Sequence, residues 1–446
     1  YIDPAVGSDE CSSSALVNLY DPLIFPTPEG DLKVWLAESW TISADGLVYT
    51  LKIRSGTKFH SGQQLTAEDV KFSMDRIITI GEGYAYLFSP YIDKAEVIEN
   101  NQVRFTLKKS FGPFLSTLIR LYIVEKAEVM AHIKTPGEYG EFGDYGKEWL
   151  LTHDAGSGPY KVREMKMEEW LYAERFKDYW APMAPKAADE IRLLKLAASP
   201  ATERVMMLNK ELEITSHWLP PETYEELGKV QGIKIGAYPQ GGMTYFMMNT
   251  QKPPLDDIYV RKALAYTFDY EADLSIYPYS RIADSPVQKG IPGYVKCSIY
   301  YYNLTKAEEE LKQSKYYPDI VNNPDKYLME VHYPAEAPAR ERECLLLAEG
   351  ASKIGLKIQV VKTPWLKTIE EMSSLETSPH MEFVGVVIHY NEAGSLLESR
   401  YHSKSAKTWE QNEWLYMSYP EVDEKIEDAL ATVDRDARFA KYADLQ

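Results

Sequence analysis

Leu47, Tyr49, Leu51 and Ile53 alternate with Val48, Thr50, Lys52 and Arg54, a two-residue period that predicts a half-buried strand. After the turn at Ser61-Gly62, Thr66 stands as an N-cap with Asp69 three residues on, while Val70, Met74 and Ile77 recur at helical spacing. That pattern opens a capped helix. Residues 103–107 alternate again, and with the strand and helix before them they predict a compact α+β unit ending near Val124. Residues 137–147, rich in Gly, Glu and Tyr, read as an exposed loop after a helix. Further strands are expected at 161–173 and 190–196, and a short helix at 203–210.

From Asp257 onward, Val260, Ala263, Leu264 and Thr267 mark a helix face, and Thr305-Lys306-Ala307-Glu308 reads as a capping box opening a charged helix to about Lys315. Tyr327, Met329, Val331 and Tyr333 alternate as a strand, residues 340–353 are helical, and Leu356, Ile358 and Val360 alternate once more. Strand, helix, strand is a βαβ unit with parallel strands. Val422, Ile426, Ala429, Leu430 and Val433 follow helical spacing. The predicted class is α/β, without an internal repeat or low-complexity segment.

Particular strings add to this pattern. Leu36-Ala37-Glu38-Ser39-Trp40, Asp45-Gly46-Leu47 and Phe59-His60-Ser61-Gly62, leading to Leu65-Thr66-Ala67-Glu68-Asp69-Val70, resemble a segment of the extracellular solute-binding proteins that feed peptide-type ABC importers. The same resemblance runs through Asn18-Leu19-Tyr20-Asp21-Pro22-Leu23, Gly156-Ser157-Gly158-Pro159-Tyr160 and Glu174-Arg175-Phe176-Lys177-Asp178-Tyr179-Trp180. It continues in Met248-Asn249-Thr250-Gln251-Lys252-Pro253-Pro254-Leu255-Asp256-Asp257, then Val260-Arg261-Lys262-Ala263-Leu264 and Asp269. It implies a two-lobed, periplasmic-binding-protein-like clamp of type II with an extra α+β domain inserted in the first lobe. Residues 1–24 and 125–268 would form lobe I, 25–124 the extra domain and 269–446 lobe II. Relatives continue past the position of Gln446, so the C-terminal return to lobe I is expected to be missing. The resemblance also implies a monomer that is extracellular or periplasmic, tethered through a segment outside this chain, with ABC permease subunits as partners.

At 446 residues the chain exceeds one comfortable core, and two or three domains are expected. It starts at Tyr1 without Met or a signal peptide and looks trimmed. A formal charge of -18 with no basic stripe argues against nucleic acid. Cys11, Cys297 and Cys344 lack metal-ligand spacing. The eight histidines offer no His-Glu-x-x-His, Gly81-Glu82-Gly83 lacks the third glycine of a dinucleotide loop, and no Gly-Lys-Ser/Thr phosphate loop occurs. Gly156-Ser157-Gly158 has the outline of a nucleophile elbow, but Pro159 stands where a helix must continue. Asp434-Arg435-Asp436 reads as a solvated face, and Asn303-Leu304-Thr305 as a chance glycosylation sequon. No catalytic residue, metal or cofactor is expected.

The resemblance implies capture rather than catalysis as the expected function, and the ligand becomes the question. In oligopeptide-binding relatives an Asp shortly after a Gly-Trp neutralises the peptide's α-ammonium. The matching stretch here runs from Gly385 to Glu392, with Val386 at the Trp position and His389 at the Asp position. A buried ammonium that loses its carboxylate forfeits on the order of 3–5 kcal/mol, and a protonated imidazole repels it. Ser12 likewise stands where those relatives carry a Glu, and only a shifted loop path would let Glu392 substitute. The resemblance points by position to Trp365, Tyr84 and Asn249 as ligand contacts, with Trp218 ahead of Pro220-Pro221 on a loop, and with Gly385, His389 and Tyr390 beside them. The family that this chain resembles also contains binders of oligosaccharides, which need aromatic faces and neutral polar groups, so the resemblance implies an oligosaccharide, with an oligopeptide as the alternative; packing inside a core is the competing role for every ring.

Overall fold

A computed structural model gives the fold and describes residues 1–27, 31–99, 101–167, 169–195, 199–217, 219–237, 242–277, 279–372, 374–405 and 420–446. The chain divides into two compact units. The first comprises Tyr1–Lys195, His389–Glu392 and Asp428–Arg438; the second comprises Leu196–Ile388, Ala393–Glu427 and Phe439–Gln446.

In the first unit, β1 (Ile24–Pro26) and β2 (Leu32–Val34) form an antiparallel ribbon. β3 (Ala37–Ile42), β4 (Val48–Ile53), β5 (Ile92–Ile98) and β6 (Gln102–Leu107) form an antiparallel sheet in the order β3-β4-β6-β5. Tyr49, Leu51 and Ile53 are buried, the face that the alternation predicts, because one side of the pleat turns to the core. The helix Ala67–Ile80 packs on β5 and β6. Its start is the predicted one: Thr66 N and Oγ1 donate to Asp69 Oδ2 at 2.9 and 2.8 Å. Gly81, at φ 74°, ends it in the left-handed region where a Cβ is disfavoured. β7 (Tyr160–Lys166), β8 (Trp170–Arg175) and β9 (Glu190–Leu194) follow as an antiparallel meander.

The stretch 137–147 begins as the exposed loop expected of it but turns inward over 143–146. Tyr145 is 2% exposed, and its carbonyl accepts from Arg76 Nε at 2.9 Å. The Arg76 guanidinium grips both oxygens of buried Asp3 at 2.6 Å each. A buried guanidinium must have its donors satisfied, and this requirement draws the Tyr145 backbone inward.

The second unit is built on a mixed sheet, β10 (Gly242–Met248), β11 (Met329–Pro334), β12 (Ile358–Thr363) and β13 (Met381–Val387), in the order β10-β13-β11-β12. β11 runs parallel to β12 and β13, with the helix Glu341–Ser352 connecting β11 to β12, so the predicted βαβ unit is present. Val260, Leu264, Met329, Val331, Leu347, Met381 and Phe383 share one core. Residues 242–268 thus belong to the same sheet and core as β11–β13, since β10 pairs along its full length with β13; the expected division instead groups them with 125–241. The helix Leu304–Leu311 is capped not by Thr305 but by Asn303, whose Oδ1 accepts from Lys306 N at 2.9 Å. Asn303 holds the extended N-cap position ahead of Leu304, whereas Thr305 already lies inside the helix.

Candidate functional site

The strings that carry the resemblance converge on one buried carboxylate. Asp21 is 2% exposed. It accepts from Trp35 Nε1 at 2.7 Å, Ser157 Oγ at 2.9 Å, and Tyr179 Oη and Trp180 Nε1 at 3.1 Å each. Burial raises its pKa from the usual carboxylate value, and the four donors oppose that rise. Gly156 and Gly158 are required because the Leu19–Tyr20 backbone lies where a Cβ would stand. Gly156-Ser157-Gly158-Pro159-Tyr160 is therefore a packing device, with Ser157 spent on Asp21 rather than on nucleophilic chemistry.

Four side chains gather elsewhere in the first unit. The helical turn Gly83–Leu87 follows the Gly81-Glu82-Gly83 corner, where a Cβ at Gly83 would sit 3.0 Å from the Ala5 carbonyl oxygen. The turn presents Tyr84 and Tyr86. Tyr84 is 3% exposed; its hydroxyl donates to the Ser8 carbonyl at 2.9 Å and meets Ser13 Oγ at 2.9 Å. The Arg120 guanidinium lies 4.9 Å from the Tyr84 ring centroid. Arg120 Nε also donates to the His389 carbonyl at 2.9 Å, and Tyr86 meets the His389 ring edge-on at 5.4 Å. Tyr84, Tyr86, Arg120 and His389 thus form one constellation: a half-buried cation framed by rings. A guanidinium so placed can take a carboxylate through charge-assisted bonds.

The other first-unit candidates are engaged with different partners. Ser12 is 2% exposed and committed to the start of its own helix, its amide donating to Asp9 Oδ1 at 2.9 Å. Tyr390 is 1% exposed and packs edge-on against Phe111 at 6.2 Å. Glu392 faces Arg438, which donates to its two oxygens at 2.9 and 2.7 Å. With both partners buried, Glu392 is spoken for and cannot replace the missing aspartate.

In the second unit, Asn249 follows β10 and is 2% exposed. Its Oδ1 accepts from Gln251 N at 3.1 Å, and its Nδ2 has no hydrogen-bond partner among the described residues. Gly385 lies in β13 opposite Thr244. Arg340 Nη2 is 2.6 Å from where a Gly385 Cβ would stand, so the missing side chain makes room for this guanidinium. Burial lowers the Arg340 pKa, and neighbouring Glu343 and Glu382 oppose that. Trp365 opens the helix Trp365–Glu371, half-buried, its amide donating to the Glu336 carboxylate at 3.0 Å. The structure brings Gly385 and Arg340 together; Asn249 lies at the far end of β10 from Thr244, and Trp365 on a separate element. Trp218 lies outside the described residues.

Sequence reasoning missed both arginines. Arg120 meets its partner 269 positions away, and Arg340 is disclosed only by the room left at Gly385. Among the described residues, no group of three or more His, Cys, Asp or Glu side chains could hold a metal, and no helix is long and apolar enough to cross a membrane.

Among similar proteins, the glutathione-binding protein GsiB of Pectobacterium atrosepticum is 26% identical over 451 residues, covering 100% of this chain and 83% of that protein. GsiB of Escherichia coli O157:H7 is 27% identical over 439 residues, covering 97% and 81%. Among solved structures, the Helicobacter pylori periplasmic binding protein DppA in complex with the peptide STSA matches with a TM-score of 0.81 at 23% identity, covering 100% of this chain and 87% of that one. The dipeptide binding protein of Pseudoalteromonas sp. SM9913 in complex with Met-Leu matches at 0.83 and 20%, covering 100% and 89%. Likeness at that level shows the fold, the α/β fold of type II periplasmic binding proteins. The model of the bacterial extracellular solute-binding proteins, family 5 Middle, matches residues 31–408. The chain therefore belongs to the extracellular solute-binding proteins of family 5, non-enzymatic binding components of ABC importers.

Proposed function

We propose that this protein captures a short, carboxylate-bearing peptide for an ABC importer, rather than the oligosaccharide expected from the family resemblance. Similarity to glutathione-binding proteins along nearly all of this chain supports the peptide reading most strongly. The site chemistry agrees with it. A sugar needs open ring faces, yet Tyr84 and Tyr390 are buried, and Trp365 is the candidate ring with exposure among the described ones. Each unit instead offers a guanidinium, Arg120 with Tyr84, Tyr86 and His389, and Arg340 with Gly385. Within the second unit, Asn249 Nδ2 and Trp365 are proposed as further contacts, while Ser12 and Tyr390 are structural within the first.

His389 in place of an aspartate gives this reading a definite slant. Without a carboxylate partner, a free α-ammonium contributes little, and two cations reward carboxylates. A peptide with more carboxylates than ammonium groups, as glutathione has, fits that balance. Capture needs no bond making, since the ligand stabilises whichever conformation it contacts best.

A thermal-shift panel of glutathione, dipeptides, tetrapeptides and neutral oligosaccharides tests the proposal. A ligand at 100 times its dissociation constant adds about 2.7 kcal/mol, so a peptide-class ligand is expected to raise Tm clearly. Stabilisation by oligosaccharides alone would overturn it.

A further inference from the structure

The sheet of the second unit has two unlike faces. Met329, Val331, Met381 and Phe383 enter the apolar core, so the alternation of the pleat turns Glu330, His332 and Glu382 to the opposite side. His332 and Glu382 are register partners on neighbouring strands. Both are buried, at 8% and 2% exposure. The helix Trp365–Glu371 reaches this side: Glu371 Oε2 lies 3.2 Å from His332 Nδ1, and Thr368 is 1% exposed. Thr363 Oγ1 meets the same ring nitrogen at 3.1 Å.

This polar layer is incompletely satisfied. Neither Glu382 oxygen, nor His332 Nε2, nor Thr368 Oγ1 has a hydrogen-bond partner among the described residues. An ionised carboxylate there lacks compensation, whereas a neutral one is tolerable. The charged and titratable groups around it are His332 and Glu330 from β11, Glu371 and Lys367 from the helix, Tyr245 on β10, Arg340, and His380 ahead of β13. Lys367 Nζ sits 3.3 Å from Glu371 Oε1 and offsets part of that charge. Burial and the Glu371 charge push Glu382 up to about 8, against the pull of Arg340.

We propose that Glu382 is a positioning residue: in its neutral form it lets the helix Trp365–Glu371 seat on the sheet, so that the presentation of Trp365 depends on proton uptake. The sign follows from linkage. The folded-state pKa lies above the ordinary carboxylate value, so the seated state is favoured below about pH 4.5 and loses that advantage as pH rises to about 8, levelling off above it. Solute binding inherits the dependence only through the role given to Trp365 above; the seating itself does not rest on that role.

Hydrogen exchange of the ligand-free protein tests the seating directly. After correction for intrinsic rates, protection of amides 365–371 in the wild type is expected to fall at least tenfold between pH 5.5 and 8 and then level off. Glu382→Gln, which keeps the shape of the neutral acid, is expected to flatten that profile; Glu382→Leu serves the same purpose if the amide variant folds poorly. Asp273 and Glu343, raised to about 6 and about 7, titrate in the same range, and the difference between wild type and variant removes their share. A pH-independent wild-type profile, or one that survives in both variants, would overturn the proposal. Neither result bears on the ligand class, because no ligand is present.

Discussion

Asp21 shows how one residue organises a family signature. Its four donors come from positions spread between Trp35 and Trp180, and each would be left unpaired by Asp21→Ala. We expect that variant to lose about 3–5 kcal/mol in urea unfolding, and Asp21→Asn, which retains one oxygen, to lose less. The raised pKa of Asp21 means that this carboxyl gains stability as pH falls, so acid unfolding is not expected to begin here. Arg120 is the residue proposed to take the ligand's carboxylate in the first unit. Arg120→Gln removes a charge-assisted partner worth about 1.5–3 kcal/mol, so a carboxylate-bearing peptide is expected to bind roughly ten- to hundredfold more weakly in a calorimetric titration.

At the scale of elements, local chemistry was legible wherever one face of a segment is buried and the other wet. Tyr49, Leu51 and Ile53 in β4, and Thr66 with Asp69 before the helix Ala67–Ile80, read correctly for that reason. β10 and β13 did not, because Met243-Thr244-Tyr245-Phe246-Met247 and Phe383-Val384-Gly385-Val386-Val387 are near-continuous apolar runs without a readable period. The Asn303 cap escaped because two capping residues stand two positions apart and only geometry selects one. Asp69 carries a further duty, its Oδ1 accepting from Lys126 N at 3.0 Å. Asp69→Ala is therefore expected to cost about 2 kcal/mol, more than the roughly 1 kcal/mol of an ordinary cap, as read by the shift in the denaturation midpoint.

At the scale of the molecule, the family was written in strings and the ligand was not. His389 at the position where oligopeptide-binding relatives carry an aspartate was visible in the sequence. The step from there to a sugar assumes open aromatic faces, and the similar proteins favour a peptide instead. Tyr84 and Tyr390 are buried, and the two guanidinium groups proposed as ligand contacts are disclosed only by long-range contacts and by the space at Gly385. Two compact units with separate interiors also imply that unfolding is not a single cooperative step; the calorimetric enthalpy is expected to exceed the van't Hoff value in the ligand-free protein. The most direct test of the whole account is a calorimetric titration of the wild-type protein with glutathione, with a neutral oligosaccharide as the parallel arm. The account predicts saturable binding of the peptide at one site and no heat of binding from the sugar; saturation by the sugar with no response to glutathione or other short peptides would contradict it.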